Sequence, residues 1–129
     1  MNRAAISLTT GLEDPERVTV DLLVAVGAAE SGRPTLVFLT KEAARLAVAG
    51  VAVGVACEGC PSVAELMARF EAAGGELLVC PICFNAKQLQ ASTLVANGSL
   101  GGTVQLWDWT GDGATTFSCW PPRRPRHVT

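Results

Sequence analysis

The chain has 129 residues, of which 49% are hydrophobic and 17% are charged, and its formal net charge is −2. This length predicts one domain with a core of its own. The weakly negative charge argues against binding to nucleic acid or to a membrane surface. So little charge on a small domain also predicts that part of its surface is covered in a homo-oligomer.

The sequence contains no recognisable targeting or membrane segment. Arg3 is the only basic residue near the start, no cleavage pattern follows it, and no window approaches the roughly 18 uncharged apolar residues of a membrane span. We therefore expect a cytoplasmic protein with no membrane partner. Five cysteines in that compartment favour thiol chemistry or metal binding over a disulfide framework. The single histidine, His127, lies in a Pro/Arg-rich tail, which argues against a Cys-His or Ser-His-Asp site.

Strand and helix patterns alternate along the chain. Asp14 is a predicted N-cap followed by Pro15, and Ser62 with Glu65 forms a predicted capping box. Residues 51–60 favour a loop, whereas 103–109 is open between a strand and a short helix. The patterns predict strands at 4–9, 35–39, 77–80 and 115–119, and helices at 15–30, 41–49, 63–73 and from Pro81 onward.

This alternation predicts an α/β fold with an open, mostly parallel sheet and helices on both faces. In such folds the functional groups gather at the carboxyl ends of the strands. We predict a single domain over residues 1–119, followed by a tail at 120–129 that has the composition of an unfolded segment.

Cys80 is the strongest candidate for a functional residue. Cys80 directly follows the apolar run 77–79, and Pro81 comes next. Proline is favoured as the first residue of a helix. A thiol between a strand and a helix start meets free backbone amides and the positive end of the helix dipole, which favour the reactive thiolate. Cys83, three residues later, is predicted to face the same way one turn along.

Cys57 and Cys60 form a second C-x-x-C pair, directly before the predicted helix 63–73. That helix and the strand 77–80 run antiparallel and have similar lengths, at about 1.5 Å per helical residue and about 3.3 Å per strand residue. The start of the helix and the end of the strand should therefore lie on the same side of the molecule. We predict that the two cysteine pairs converge there.

The cysteines leave three functions open. Cys80 could be a nucleophile, with Cys83 or the pair Cys57 and Cys60 as resolving or auxiliary thiols. Alternatively, the spacing between Cys60 and Cys80 matches a zinc pattern, and the four thiolates could close a structural zinc site in a non-catalytic oligomeric module. The third alternative is a dithiol redox protein that cycles Cys80 and Cys83.

Three stretches resemble the DsrE/DsrF-like family, which includes TusD and the YchN-like sulfur-relay proteins. They are the opening at 6–11, Phe-Leu-Thr-Lys-Glu at 38–42 and, most distinctively, Leu-Val-Cys-Pro-Ile-Cys-Phe-Asn-Ala at 78–86. The resemblance covers nearly the whole chain to Cys119. It implies a three-layer α/β/α domain with five strands in the order 4-3-2-1-5, a loop at 51–60, a helix at 103–110 and assembly into trimers or hexamers.

The same resemblance implies a function. In sulfur-relay members the cysteine after the third strand carries a persulfide, and the matching residue here is Cys80. Cys57, Cys60 and Cys83 have no counterpart in TusD, although a C-x-x-C pair occurs in YchN-like relatives, which favours that subgroup. We therefore expect a sulfurtransferase-like persulfide carrier that exchanges sulfur with donor and acceptor proteins and uses no cofactor.

Overall fold

The computed structural model describes residues 2–118, which form a five-stranded sheet with helices packed against it. The strands are β1 (Ala4–Leu8), β2 (Thr35–Leu39), β3 (Glu76–Val79), β4 (Gly98–Leu100) and β5 (Thr115–Ser118). The α-helices are α1 (Pro15–Glu30), α2 (Val63–Ala72), α3 (Pro81–Ala86) and α4 (Thr103–Thr110), and 3₁₀ helices cover Lys41–Ala47 and Ala91–Thr93. Cys119 and the predicted tail at 120–129 lie outside the described residues. None of the helices described here is long and apolar enough to cross a membrane.

All neighbouring strands of the sheet run parallel, in the order β4-β3-β2-β1-β5. The pairing of β1 with β2 runs from Ala4 opposite Thr35 to Leu8 opposite Leu39. The predicted parallel α/β sheet is therefore confirmed, and so is the strand order that the family resemblance implies. The loop at 51–60 and the helix at 103–110 are also found.

The two faces of the sheet bury different apolar clusters, because successive strand residues point to opposite faces. All five residues of β2 are buried, as its continuous apolar run predicts. On one face α1 and α2 cover what we call the main core, which includes Ile6, Leu8, Val18, Leu22, Val37, Leu39, Leu66, Phe70, Leu77 and Val79. On the other face α4 covers a smaller α4-side cluster, formed by Leu36, Phe38 and Leu78 with Leu106 and Trp109 packed against it.

The starts of α1 and α2 are set by side-chain caps that the sequence predicts. The Asp14 carboxylate accepts a hydrogen bond from Arg17 N–H (3.1 Å), and Pro15 follows as the first helical residue. The Ser62 hydroxyl accepts a hydrogen bond from Glu65 N–H (3.1 Å). Each cap satisfies one of the free amides at a helix start, so these two boundaries follow from local chemistry.

The predicted helix at 41–49 differs from the observed structure. It is a 3₁₀ helix over Lys41–Ala47, and Lys41 itself adopts a left-handed φ of 53°. Val48 leaves the helix because it forms an antiparallel bridge with Leu94, and the neighbouring Ala49 N–H donates to the Thr93 carbonyl (2.8 Å). Pairing with a distant segment therefore overrides the local helical pattern.

The strand β4 was not predicted at its position, which reads as a glycine-rich turn. It is only three residues long, and two of them, Ser99 and Leu100, are exposed. Its residues pair with β3 at the edge of the sheet. Because this pairing uses backbone groups and buries few side chains, the strand leaves almost no hydrophobic signal in the sequence.

Gly11 and Gly27 provide a matched pair of stability predictions. A Cβ added at the buried Gly11 would overlap the backbone carbonyl of Glu42, lying 2.7 Å from its carbon, whereas a Cβ at Gly27 in α1 meets nothing within 4 Å. We expect Gly11→Ala to lower the free energy of unfolding by about 1–3 kcal/mol through overpacking. Gly27→Ala should raise it by about 0.5–1 kcal/mol, because alanine costs less backbone entropy in a helix. Urea unfolding of both variants measures the two changes, and a stable Gly11→Ala protein would contradict the close approach.

Candidate functional site

Cys80 lies at the carboxyl edge of the sheet, between β3 and α3. It is the first residue after β3 and the N-cap of α3, as the sequence predicts. Its N–H donates to the Leu39 carbonyl (3.0 Å), and its own carbonyl accepts from Phe84 N–H (2.9 Å). The sheet and the helix therefore both hold the Cys80 backbone, while its side chain is a free, partly exposed thiol.

Cys83 is also a free thiol, but it does not share the surroundings of Cys80. The Cys83 side chain packs against the main core, whereas Cys80 packs against the α4-side cluster. The prediction that they face the same way is not met, because Cys80 has extended backbone (φ −61°, ψ 119°) and precedes the helix. The two thiols therefore meet different apolar surroundings, although only two residues separate them in the chain.

Cys57 and Cys60 form a disulfide in the loop before α2, with their Cα atoms 5.3 Å apart. The Cys57 sulfur lies 3.8 Å from the hydroxyl of Thr19 in α1, and the Cys60 sulfur lies 3.6 Å from the Glu58 carbonyl oxygen. This pair therefore packs against the helix that follows β1. Cys80 and Cys83 follow β3.

The predicted convergence of the four cysteines is not found. Within residues 2–118, no group of three or more histidine, cysteine, aspartate or glutamate side chains could hold a metal ion. The prediction compared lengths along α2 and β3 but did not fix the position of the loop at 57–60. In the structure the Cys57 sulfur packs against Thr19 of α1, whereas Cys80 packs against the α4-side cluster on the other face of the sheet. In the described part of the chain, Cys57 and Cys60 are joined to each other and the four cysteines do not form one group.

Lys87 and Glu42 form an ion pair close to the thiols, which the sequence did not predict. Lys87 Nζ lies 2.8 Å from one Glu42 oxygen, and Arg45 Nε lies 2.9 Å from the other. Hydrogen bonds from Lys87 and then from Arg45 hold the pKa of the Glu42 carboxyl below its ordinary value of 4.5. The bonds tie the end of α3 to the 3₁₀ helix after β2. The Lys87 ammonium is thus paired with Glu42 and does not extend freely toward an anion at Cys80.

A cavity of about 510 Å³ lies apart from the thiols. β2 and β5 lie on opposite sides of β1, so the order of the strands reverses between β1 and β5. Ligands of open α/β sheets usually bind at such a point. The cavity lies there, between α1 and β5. Among residues 2–118, none of the cysteines lines this cavity. Its lining residues are Asp14, Glu16, Arg17, Val20, Asp21, Phe117 and Ser118.

Comparison with known proteins identifies the fold and leaves the chemistry open. No curated protein and no protein-family profile matches the sequence. The fold is similar to the crystal structure of the ychN protein from E. coli, with a TM-score of 0.72 over 91% of this chain and 100% of that chain, at 19% sequence identity. It is also similar to MTH1491, a protein of unknown function from Methanobacterium thermoautotrophicum, with a TM-score of 0.71 over 92% of this chain and 100% of that chain, at 9% identity. These neighbours have the DsrE-like α/β fold, so the fold that the sequence resemblance implies is confirmed.

The lowered pKa of Glu42 predicts how its ion pairs depend on pH. A carboxyl whose pKa is depressed in the folded state stabilises the protein at pH values above its ordinary pKa of 4.5. This contribution is lost as the pH falls through the folded-state pKa. We therefore expect Glu42→Gln to be less stable than the parent at pH 7, with the difference disappearing as the pH falls well below 4.5.

Denaturant unfolding at a series of pH values measures this difference. Glu71→Gln is a suitable control, because Glu71 is exposed and forms no ion pair within the described part of the chain. A difference between parent and Glu42→Gln that stays constant across the whole pH range would contradict an ionic origin.

Proposed function

We propose that the chain is a sulfur-handling protein in which Cys80 carries sulfur as a persulfide. The observation that carries the proposal is the position of Cys80, a free and partly exposed thiol held at the carboxyl end of β3. The carboxyl edge is where parallel α/β sheets place their reactive groups. The fold that this chain has in common with the ychN protein adds support. We expect the protein to act in the cytoplasm, where thiols are kept reduced.

The proposed cycle consists of two sulfur transfers. The Cys80 thiolate attacks the outer sulfur of a donor persulfide, R–S–SH. A new S–S bond forms to Cys80, the donor's own S–S bond breaks, and the donor leaves as a thiolate that takes a proton from solvent. An acceptor thiolate then attacks the outer sulfur on Cys80 and regenerates the Cys80 thiolate. Neither transfer requires an oxidant, a reductant or a cofactor.

The surroundings of Cys80 suit a polarisable sulfur that must remain accessible. One side of the thiol is the apolar α4-side cluster, in which Leu78 and Phe38 are nearly fully buried. On another side, Gly101 N–H donates to the Val79 carbonyl (3.0 Å), which places the start of the Gly101-Gly102 turn beside the end of β3. A Cβ at Gly101 would lie 2.6 Å from Leu78 Cδ1, so the glycine lets the chain before α4 pack closely against the apolar wall beside Cys80.

Cys80→Ser tests the proposal directly. We expect the parent protein, treated with inorganic polysulfide, to gain the mass of one sulfur atom that dithiothreitol removes, and we expect Cys80→Ser to gain none. Cys83→Ser is the matched control and should load as the parent does, because the proposal assigns the sulfur to Cys80, whereas the partly exposed Cys83 packs against the main core. Intact and peptide mass spectrometry measure the loading. Equal loading of Cys80→Ser and the parent, or oxidation that only joins Cys80 to Cys83, would overturn the carrier function.

We also infer that the protein assembles into a homo-oligomer, of three or six copies by analogy with the family that it resembles. The α4 side of the sheet exposes large apolar side chains, among them Val104 (69% exposed) and Trp107 (65% exposed). These two residues are three apart in α4 and so lie on one helix face. Trp107 also lines an apolar cavity of about 200 Å³ with Phe117, itself 45% exposed. A second copy that covers this face would remove the apolar area from water.

Trp107→Asp tests the interface. A charge at the centre of a covered apolar face should shift the assembly toward smaller species, because the buried carboxylate would have no partner. Val53→Asp is the control, since Val53 is comparably exposed (73%) but lies in the loop before α2. Native mass spectrometry of the parent and both variants gives the copy number. An unchanged assembly in Trp107→Asp would exclude this face as the interface.

A further inference from the structure

The disulfide between Cys57 and Cys60 is chemically separate from the site at Cys80. The Cys57 sulfur contacts Thr19, which is 2% exposed and whose hydroxyl donates to the Pro15 carbonyl (2.7 Å). These contacts place the pair against the first turns of α1. Cys80 packs instead against the α4-side cluster, on the other face of the sheet. The pair therefore needs a role that does not depend on contact with Cys80.

A structural role accounts poorly for this disulfide. It closes a ring of only four residues, and the stabilisation that a disulfide gains from restricting the unfolded chain grows with the length of the loop. The loop is already held by two backbone bonds, one within the ring and one between the residues that flank it. Cys60 N–H donates to the Cys57 carbonyl (3.1 Å), and Val63 N–H donates to the Val55 carbonyl (2.9 Å). The turn can therefore persist when the two sulfurs are reduced.

The pair is open to attack from one side. Glu58, Gly59 and Pro61 are all exposed, and a Cβ built on Gly59 would meet no atom within 4 Å. Cys57 and Cys60 are both partly exposed, but the Cys57 sulfur is covered on one side by the buried Thr19, whereas the Cys60 sulfur contacts the carbonyl of the exposed Glu58. An incoming thiolate therefore reaches Cys60 more readily than Cys57.

We propose that Cys57 and Cys60 form a thiol–disulfide exchange site, separate from Cys80, which exchanges two electrons with an external dithiol. One thiolate of that dithiol attacks the Cys60 sulfur, the Cys57–Cys60 bond breaks, and Cys57 leaves as a thiolate that takes a proton from solvent. The second thiolate of the dithiol then attacks the dithiol's other sulfur, which is bonded to Cys60 in the mixed disulfide. Cys60 leaves as a thiolate and is protonated in turn, and the external dithiol ends as a disulfide. The exchange is reversible and is independent of sulfur transfer at Cys80.

The electron transfer can be measured in a full-length variant that keeps only this pair. In Cys80→Ser/Cys83→Ser/Cys119→Ser, we expect one reversible two-electron transition between the dithiol and the disulfide as the ratio of reduced to oxidised dithiothreitol is varied. Alkylation followed by mass spectrometry counts the free thiols at each ratio. A pair that stays oxidised in fully reduced dithiothreitol, or stays reduced in the fully oxidised form, would overturn the proposal.

The order of attack is tested with glutathione disulfide as the probe. In the same background, Cys57→Ser leaves Cys60 alone and Cys60→Ser leaves Cys57 alone. We expect the remaining Cys60 to form its mixed disulfide with glutathione several-fold faster than the remaining Cys57, because it is the more accessible sulfur. Equal rates, or faster reaction at Cys57, would overturn the assignment of Cys60 as the attacked residue.

The double variant Cys57→Ser/Cys60→Ser separates exchange from a structural role. We expect its thermal unfolding to match that of the parent and its polysulfide loading at Cys80 to be unchanged. Loss of the fold in this variant would show that the fold requires the disulfide and would overturn the proposal. Failure of loading at Cys80 in the parent would leave the exchange site unaffected, so the two proposals can fail separately.

Discussion

The position of the candidate thiol depends on backbone hydrogen bonds that continue one residue past the carboxyl ends of the strands. In each case the first residue after one strand donates to the last residue of its neighbour. The three bonds run from Thr40 to Leu8, from Cys80 to Leu39 and from Gly101 to Val79, at 3.0–3.1 Å. These bonds hold the strand ends in register and bring three chain segments to one edge. Because no side chain takes part, the sheet topology fixes where Cys80 lies, and the identity of the residue decides only what chemistry occurs there.

The parallel sheet also explains why the two C-x-x-C pairs lie in different surroundings. Cys57 and Cys60 lie beside α1, whereas Cys80 and Cys83 follow β3. Position between the faces then separates Cys80 from Cys83, because each packs against a different apolar cluster. The fold therefore gives these cysteines different surroundings, which the C-x-x-C spacing alone does not reveal.

The sequence predicted the features that depend on local chemistry. The helix starts at Asp14 and Ser62 and the placement of Cys80 before Pro81 each follow from residues close to one another in the chain. The features it missed depend on partners far along the chain. β4 exists because β3 offers an edge, and Lys87 is held by Glu42, which lies 45 residues away. The family resemblance supplied the strand order and the helix at 103–110, which periodicity left open.

The division of the interior into two clusters has a consequence for protein engineering. Within residues 2–118, the α4-side cluster contains three buried residues and shares none of them with the main core. Substitutions at sites with no common partners tend to add independently. The wall beside Cys80, at Leu36, Phe38 and Leu78, can therefore be reshaped while the residues of the main core are left unchanged.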